Sequence, residues 1–415
     1  MDPIINRRTL LGTAAASAFV GRRAMAQGAA AGDVIRVGAL TDLSGPYRDI
    51  EGPTGTICAQ QAIAEFLETN PGVKVELLQA DHQNKADVGA SIARQWFDRD
   101  RVDMLIQVGN TAVALAVNTV AREKDKVHVN TGALSSVLTG QYCTPNLVHG
   151  PLDTWAMSHS TATAVPKTGG DRWFFVTADY AYGHALRDDA SNFLKAAGGQ
   201  VVGNVSYPFP GTTDFSSFLL QAQASGANVL ALASSGTDTV NQLKQIREFG
   251  IGGAMRIVGL GSFLQDVMAT EPAAAAGLLV TESFYWDLND RTRAFYGRIK
   301  PRLPAGVFPS SLQAGAYAGM THYLKAVKRM GVAEAKVSGA RTVDVMKSIP
   351  TDDDAFGPGT LRADGQMVAA ITLFQVKPAD ARKAPGQVYD VVSTTPAEQA
   401  FKPLAESTCS LVRKG

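Results

Sequence analysis

Small polar residues and glycine follow six of the apolar, strand-like runs in this 415-residue chain. The six turns are 44–47 (SGPY), 109–111 (GNT), 131–135 (TGALS), 179–183 (DYAYG), 234–238 (SSGTD) and 259–262 (GLGS). Any one of them is explained by helix capping, because Ser, Thr, Asn and Asp side chains accept hydrogen bonds from the first N–H groups of a helix. Together they offer hydroxyls and N–H groups that suit a carboxylate, and the tyrosines in two of them suit an apolar body.

The elements that must position these turns alternate between strand patterns and helix patterns. Apolar runs of strand length recur from Val34 to Tyr285, and amphipathic helical patterns lie between them. This alternation predicts an α/β protein with parallel sheets and helices on both faces. In open parallel sheets, ligands bind beyond the carboxyl ends of the strands, where helix N-termini present unpaired N–H groups. We therefore expect the six turns to line one site.

The length and the interruptions of this pattern predict two lobes. A single core stops growing at roughly 250–300 residues, which is shorter than this chain. The alternation pauses near 149–155 (HGPLDTW), its second series ends near Thr281, and turn residues cluster again at 352–365. These breaks predict three crossings, with bends near 152–154, 281–283 and 355–357. The expected lobes are 33–152 plus 284–355 for lobe 1 and 155–281 plus 358–410 for lobe 2.

The first 26 residues have the pattern of an export signal. An arginine pair at 7–8 precedes an apolar run at 10–20, and the sequence AMA occupies 24–26. We expect export to the periplasm with cleavage after Ala26. The arginine pair favours the twin-arginine route, and an ordinary secretory signal is the alternative. The apolar run is shorter than the ~20 residues needed to cross a bilayer, which disfavours a membrane anchor.

Charge and missing motifs disfavour several function classes. Without residues 1–26 the chain loses four arginines and one aspartate from its 39 basic and 38 acidic residues, leaving a net charge of about −2. Nucleic acid is therefore not an expected partner. The six histidines show no metal-ligand spacing, and the sequence contains no phosphate-binding loop, dinucleotide fingerprint or nucleophile elbow. We expect no metal, no cofactor and no catalysis; a secreted hydrolase is the alternative, although no nucleophile and base are visible.

Three cysteines remain in a chain expected to reach an oxidising compartment. Cys58 lies in an apolar helical pattern and is expected to be buried and reduced. Cys143 and Cys409 lie in loop-like sequence, which favours a disulfide between them. Two free thiols are the alternative.

The order of the turns resembles the periplasmic binding proteins of the branched-chain amino acid ABC-uptake family. The resemblance covers nearly the whole mature chain, through TDLSGPY, VGNTA, NTGALS, DYAYG, SSGTD, FYWD and LQAGAYAGMTHYLKAV. It implies the type I periplasmic binding protein fold, with two Rossmann-like lobes joined by a three-crossing hinge. It also implies a monomer whose cleft closes on a small molecule for delivery to an inner-membrane ABC permease. A periplasmic ligand sensor is the alternative role.

The resemblance further implies which residues bind the ligand. In the family, the turns that match Asn110-Thr111 and 133–135 hold the ligand carboxylate, and a tyrosine that matches Tyr182 approaches from the second lobe. Tyr47 and Asp49 are expected at the mouth of the cleft. The full candidate set is Tyr47, Asp49, Asn110, Thr111, Ala133, Leu134, Ser135, Tyr182, Ser235, Gly236, Gly261, Phe284 and Tyr285.

The expected ligand follows from a departure from the family pattern. Amino-acid binders of the family have an acidic residue after the eighth strand, where this chain has Leu-Gly-Ser at 260–262. An ammonium group buried without a partner costs several kcal/mol. Aromatic residues in the turns and at 284–286 suit a ring. We therefore predict a small carboxylic acid with an aromatic body and no required ammonium group; a branched-chain amino acid, with Asp238 or Glu282 as amine partner, is the alternative.

Overall fold

The computed structural model describes residues 34–412, and the expected export segment and its cleavage site lie outside them. The strands are β1 (Val34–Thr41), β2 (Lys74–Asp81), β3 (Met104–Gln107), β4 (Val127–Asn130), β5 (Leu147–His149), β6 (Arg172–Ala178), β7 (Gln200–Tyr207), β8 (Val229–Ala233), β9 (Arg256–Gly259), β10 (Leu279–Glu282), β11 (Thr351–Asp353), β12 (Gly357–Leu361), β13 (Met367–Val368), β14 (Ile371–Val376) and β15 (Tyr389–Thr395). The helices are α1 (Gly52–Thr69), α2 (Ala86–Asp98), α3 (Thr111–Glu123), α4 (Thr154–Ala164), α5 (Ala181–Ala196), α6 (Ser216–Ala224), α7 (Thr237–Glu248), α8 (Leu264–Ala269), α9 (Pro272–Ala275), α10 (Asp290–Ile299), α11 (Ser311–Met330), α12 (Val332–Ala335), α13 (Gly339–Lys347) and α14 (Ala397–Ala400).

Two large sheets define the two lobes. The first sheet has five parallel strands in the order β2-β1-β3-β4-β5. The second has seven in the order β15-β14-β10-β9-β8-β6-β7, in which β14 and β15 are antiparallel additions at one edge. Strands β3, β4 and β8 are buried at every position, as expected when helices cover both faces. The predicted fold class, two α/β lobes with parallel sheets flanked by helices, is confirmed.

The chain returns to the first lobe after β10. Helix α11 packs along α1, and α13 contacts α11, β4 and β5. The start of α11 is fixed by a capping box: the Ser310 hydroxyl accepts from the Gln313 N–H, and the Gln313 side-chain oxygen accepts from the Ser310 N–H. Helix α4, by contrast, packs on α5, β10 and β14 of the second lobe.

A small antiparallel sheet, β11-β12-β13, lies on the third connection between the lobes. Residues from 358 onward were expected in the second lobe, but β12 pairs with β11 and β13 before β14 joins the second sheet. A bridge between His149 and Gln366 links this segment to β5 of the first lobe. The chain therefore enters the second sheet only at Ile371, beyond the expected bend at 355–357.

The three cysteines differ in environment. Cys143 and Cys409 are joined by a disulfide, with their Cα atoms 5.6 Å apart, so the C-terminal segment is tied to the loop before β5. Cys58 is a free, fully buried thiol on α1. Burial raises the pKa of this thiol well above its usual range, which disfavours the reactive thiolate.

Candidate functional site

A small cavity lies between the two lobes. It is bordered by turns at the carboxyl ends of β1, β3 and β4 in the first lobe and of β6, β8 and β9 in the second. From the first lobe the lining residues are Tyr47, Ile50, Glu51, Asn110, Thr111, Gly132, Ala133, Leu134 and Leu312. From the second lobe they are Tyr180, Tyr182, Ser235 and Phe263. Five of the six turns contribute a lining residue, and the turn at 259–262 contributes none.

The turn before α3 presents a free hydroxyl to the cavity. Asn110 is the N-cap residue, and its side-chain oxygen accepts from the N–H groups of Ala112 and Val113, at 2.9 and 3.4 Å. Thr111 is therefore not needed as a cap. Its hydroxyl is buried, with the residue 1% exposed, and has no hydrogen-bond partner within residues 34–412. This hydroxyl sits at the N-terminus of a helix, where the helix dipole favours a negative group.

The turn after β4 is hydrogen-bonded, on the side away from the cavity lining, to residues at the first connection between the lobes. The carbonyl of Ala133 lies 2.7 Å from His149 Nε2, and the carbonyl of Leu134 accepts from the Thr154 N–H at 2.8 Å. Ala133 and Leu134 line the cavity, whereas Ser135 does not. The Ser135 hydroxyl is buried without a partner in the described part of the chain, so Ser135 lies next to the site rather than in its wall.

Glu51 is a lining residue that the sequence analysis did not identify. It precedes α1, whose first turn contains Pro53, and its side chain caps no helix N–H group. One carboxylate oxygen, Oε1, accepts from the Asp42 N–H at 3.0 Å, and the other, Oε2, is buried without a partner among the described residues. A Cβ atom added to Gly109 or Gly132 would overlap the carboxylate, so the side chain packs directly between these two turns.

The second lobe contributes a second free hydroxyl. The Tyr182 hydroxyl is buried and has no hydrogen-bond partner within the described residues. Burial raises the pKa of Tyr182, so the hydroxyl stays protonated and can donate. A Cβ added to Gly261 would overlap this hydroxyl, which explains the small residue there. The Ser235 hydroxyl donates to the Gly261 carbonyl and so fixes the neighbouring turn.

The mouth of the cleft is closed by contacts between the lobes. Tyr47 of the first lobe has its hydroxyl against that of Tyr180, and its ring stacks on Phe209 with centroids 5.8 Å apart. Tyr180 stacks on the same ring at 4.4 Å. Gly236, at φ 66°, approaches Pro46 so closely that an added Cβ would overlap the Pro46 carbonyl oxygen. The structure is thus that of a closed cleft.

Six candidate residues do not line the cavity, which corrects the sequence-based expectation: Ser135, Gly236 and Gly261 lie next to lining residues, and Asp49, Phe284 and Tyr285 lie away from the cavity. The Asp49 side chain is 73% exposed and pairs with Arg48 at the surface. Phe284 packs edge-on against Phe295 in the core, with centroids 5.7 Å apart. The Tyr285 hydroxyl donates to a backbone carbonyl at Gly386, 2.8 Å away, and the ring is buried. The rings at 284–285 therefore stabilise the core and do not line the cleft.

The two acidic residues considered as partners for a ligand ammonium group already accept hydrogen bonds within the protein. Asp238 accepts from the Tyr207 hydroxyl at 2.8 Å. Glu282 accepts from the Leu264 N–H and from the hydroxyls of Ser311 and Tyr389. Burial raises the pKa of Asp238 to about 6 and that of Glu282 to about 7. Neither residue lines the cavity.

Besides Ile50 and Glu51, which precede α1, the lining residues that sequence reasoning missed are of two kinds. Gly132 and Tyr180 lie inside turns that the sequence had singled out, next to residues that were chosen. Phe263 and Leu312 lie beside or within the first turns of α8 and α11, whose approach to the cavity depends on how the lobes meet. Within residues 34–412, no helix is long and apolar enough to cross a membrane, and no group of three or more His, Cys, Asp or Glu side chains is arranged to hold a metal ion.

Comparison with known proteins identifies the class: the chain belongs to the periplasmic binding protein family, whose sequence profile matches residues 34–383. A periplasmic binding protein from Burkholderia mallei is 42% identical, with 92% of this chain and 100% of that chain covered and a TM-score of 0.86. A branched-chain amino acid ABC transporter periplasmic ligand-binding protein from Burkholderia xenovorans LB400 is 36% identical, with 91% and 100% covered and a TM-score of 0.80. The resemblance seen in the turns is confirmed.

More distant structures share the fold. The solute-binding protein of an ABC transporter from Rhodopseudomonas palustris HaA2, solved in complex with p-hydroxybenzoic acid, is 20% identical. The comparison covers 89% of this chain and 99% of that chain, with a TM-score of 0.78. No curated protein matches the chain.

Proposed function

We propose that the protein is the periplasmic solute-binding component of an ABC importer and captures a small carboxylic acid with an aromatic body. The observation that carries this proposal is a pair of buried hydroxyls, Thr111 Oγ1 and Tyr182 OH, which have no hydrogen-bond partner within residues 34–412 and belong to residues that line one cavity. One hydroxyl comes from each lobe. A ligand that accepts hydrogen bonds from both would therefore stabilise the closed form over the open form.

A carboxylate suits these donors. It accepts several hydrogen bonds, each worth about 1.5–3 kcal/mol when the acceptor is charged. Thr111 lies at the N-terminus of α3, where the helix dipole also favours a negative group. Asn110, Ala133, Leu134 and Ser235 complete the proposed polar contacts, with Gly236 and Gly261 shaping the wall and Ser135 supporting it.

The other walls suit one ring. Tyr47, Leu134, Tyr180, Phe263 and Leu312 supply flat or apolar surface. The space between these walls is small in the closed form, which limits the ligand to a compact molecule and requires the lining side chains to move apart around its ring. Relatives complexed with benzoates support this ligand class.

The same proposal includes the steps before and after binding. The chain is exported, cleaved after Ala26, acts as a monomer without catalysis, and delivers its ligand to an inner-membrane permease. Its lobes move about the three connections near 150–153, 283–289 and 369–370, which join the two large sheets. A branched-chain amino acid is the second candidate ligand, favoured by the 36% identical relative. In that case Glu51 would receive the ammonium group, since Asp238 and Glu282 are engaged.

Calorimetry with purified protein tests the ligand class. Benzoate, cinnamate and phenylpyruvate are compared with leucine and valine. We expect at least one aromatic acid to bind with one molecule per chain and to raise the melting temperature, because a ligand that binds only the folded form stabilises it. Tight binding of leucine, with none of the aromatic acids bound, would overturn the aromatic-acid proposal in favour of the second candidate.

A further inference from the structure

Glu51 places an ionisable acid in a wall that is otherwise neutral. Among the described residues that line the cavity it is the one carboxylate, and no lysine or arginine lines the cavity. The residue is 1% exposed, so its carboxylate is almost completely removed from water. Burying a carboxylate is unfavourable unless it is hydrogen-bonded or paired with a charge. Whether each of its two oxygens has a hydrogen-bond donor within the protein therefore determines which donor a ligand must provide.

Oxygen Oε1 has a hydrogen-bond donor within the protein. It accepts from the Asp42 N–H at 3.0 Å and lies 3.4 Å from His82 Nε2. His82 Nδ1 accepts from the Asn84 N–H at 3.1 Å, and because a backbone N–H can only donate, Nδ1 carries no proton. The ring proton is then on Nε2, facing Glu51, and the imidazole is neutral. His82 thus supplies no compensating positive charge, and its Nε2 has no hydrogen-bond partner within the described residues.

Oxygen Oε2 has no partner within residues 34–412. The carboxylate packs against Gly109 and Gly132, which belong to the two turns proposed to receive the ligand acid. The ligand's own carboxylate cannot occupy that space, and two carboxylates in contact would repel each other strongly at low dielectric. The ligand acid is therefore directed toward Thr111 and the second-lobe hydroxyl, and a different group of the ligand faces Glu51.

We infer that Glu51 is a specificity-determining residue whose Oε2 accepts a hydrogen bond from a hydroxyl or amino group carried by the ligand in addition to its acid group. The inference rests on the proposed function, because it adds a donor to the small acid placed in the cavity. A ligand without such a donor leaves Glu51 Oε2 buried with no hydrogen-bond partner among the described residues in the closed form. The site therefore selects against simple acids and in favour of hydroxy or amino acids of the same size.

Calorimetry on ligand series that differ only in this donor tests the inference. One series is 3-phenylpropionate, 3-phenyllactate and phenylalanine, which have hydrogen, hydroxyl and ammonium at one carbon; the other is benzoate with its hydroxy and amino derivatives. Since a hydrogen bond to a charged group is lost, we expect the best donor-bearing member to bind about 10- to 100-fold tighter than its parent. The hydroxyl and amino members show which donor Glu51 receives.

The variant Glu51→Gln keeps the size and the Oε1 acceptor and replaces Oε2 with an amide that donates. We expect the preference to fall to about threefold or less, since the charged acceptor is gone. Glu68→Gln, on the exposed side of the same helix α1, is the matched control and should retain the full preference. Melting curves of both variants without ligand check that they are folded.

The outcomes separate this inference from the proposed function. Equal binding of parent and donor-bearing acids by the native protein would overturn the role of Glu51 and leave the proposed acid-binding function standing. An unchanged preference in Glu51→Gln would overturn it as well. Binding of none of the acids would overturn the proposed function, and the inference with it. The native comparison needs no variant, so it decides the question even if Glu51→Gln fails to fold.

Discussion

Replacing Thr111 with valine should weaken ligand binding without destabilising the free protein. The Thr111 hydroxyl is buried and has no hydrogen-bond partner in the described part of the chain, so its removal breaks no bond there. Valine has nearly the same shape and removes a hydroxyl whose burial is unfavourable. The free energy of unfolding of the free variant should therefore be unchanged or higher by up to about 1 kcal/mol.

The bound form should respond in the opposite direction. If the hydroxyl donates to the ligand carboxylate, the variant loses a charge-assisted hydrogen bond of about 1.5–3 kcal/mol. At 1.4 kcal/mol for each factor of ten, the dissociation constant should rise by roughly 10- to 150-fold. Calorimetry with the tightest acid measures this change, and chemical denaturation without ligand measures the stability.

Thr56→Val is the matched control. The Thr56 hydroxyl is also buried, but it donates to Gln107 Oε1 at 2.9 Å and accepts from Gln79 Nε2 at 2.7 Å, outside the cavity. Its loss should lower the free energy of unfolding by about 1–3 kcal/mol and leave the affinity unchanged. The reasoning is refuted if Thr111→Val behaves like this control, with reduced stability and an unaltered dissociation constant.

Three further predictions concern the thiols, closure and pH. Thiol counting on denatured, unreduced protein should find one free group, Cys58; three would contradict the disulfide. Gly236→Ala should abolish ligand-induced compaction in small-angle scattering because its Cβ would overlap the Pro46 carbonyl oxygen, whereas Gly250→Ala, also at positive φ but with no neighbour, should compact normally. Burial raises the pKa of Asp153 to about 7, so its contribution to stability is complete below about pH 4 and lost as the pH rises to about 7. Asp153→Asn should therefore gain stability relative to the native protein over that range in denaturation experiments, and a constant difference would argue against this shift.

The sheets could be predicted from sequence because parallel strands covered on both faces are continuous apolar runs. Strands β4 and β8, which are buried at every position, are such runs. Helix α4 is harder to recognise in the sequence, because it is buried against α5, β10 and β14 and shows no single apolar stripe. The strands of the small sheet are two to five residues long and rich in polar residues, Gly and Pro, which resemble turns.

The site could be predicted only as far as topology determines it. Turns at the carboxyl ends of parallel strands must face one edge, and most of the chosen turn residues line the cavity. A glutamate before a helix ordinarily stabilises that helix through its dipole, so nothing in the sequence shows that Glu51 turns toward the cavity. Phe284 and Tyr285 follow a strand as the cavity residues do, and only their packing against Phe295 and Gly386 assigns them to the core.

A crystal structure of the protein grown with its tightest-binding acid tests the central claim most directly. We predict one ligand in the cavity between the lobes, with its carboxylate within hydrogen-bond distance of Thr111 Oγ1 and Tyr182 OH. Its ring should lie against Tyr47 and Phe263. A ligand bound elsewhere on the molecule, or one that leaves both hydroxyls without a partner, would contradict the account.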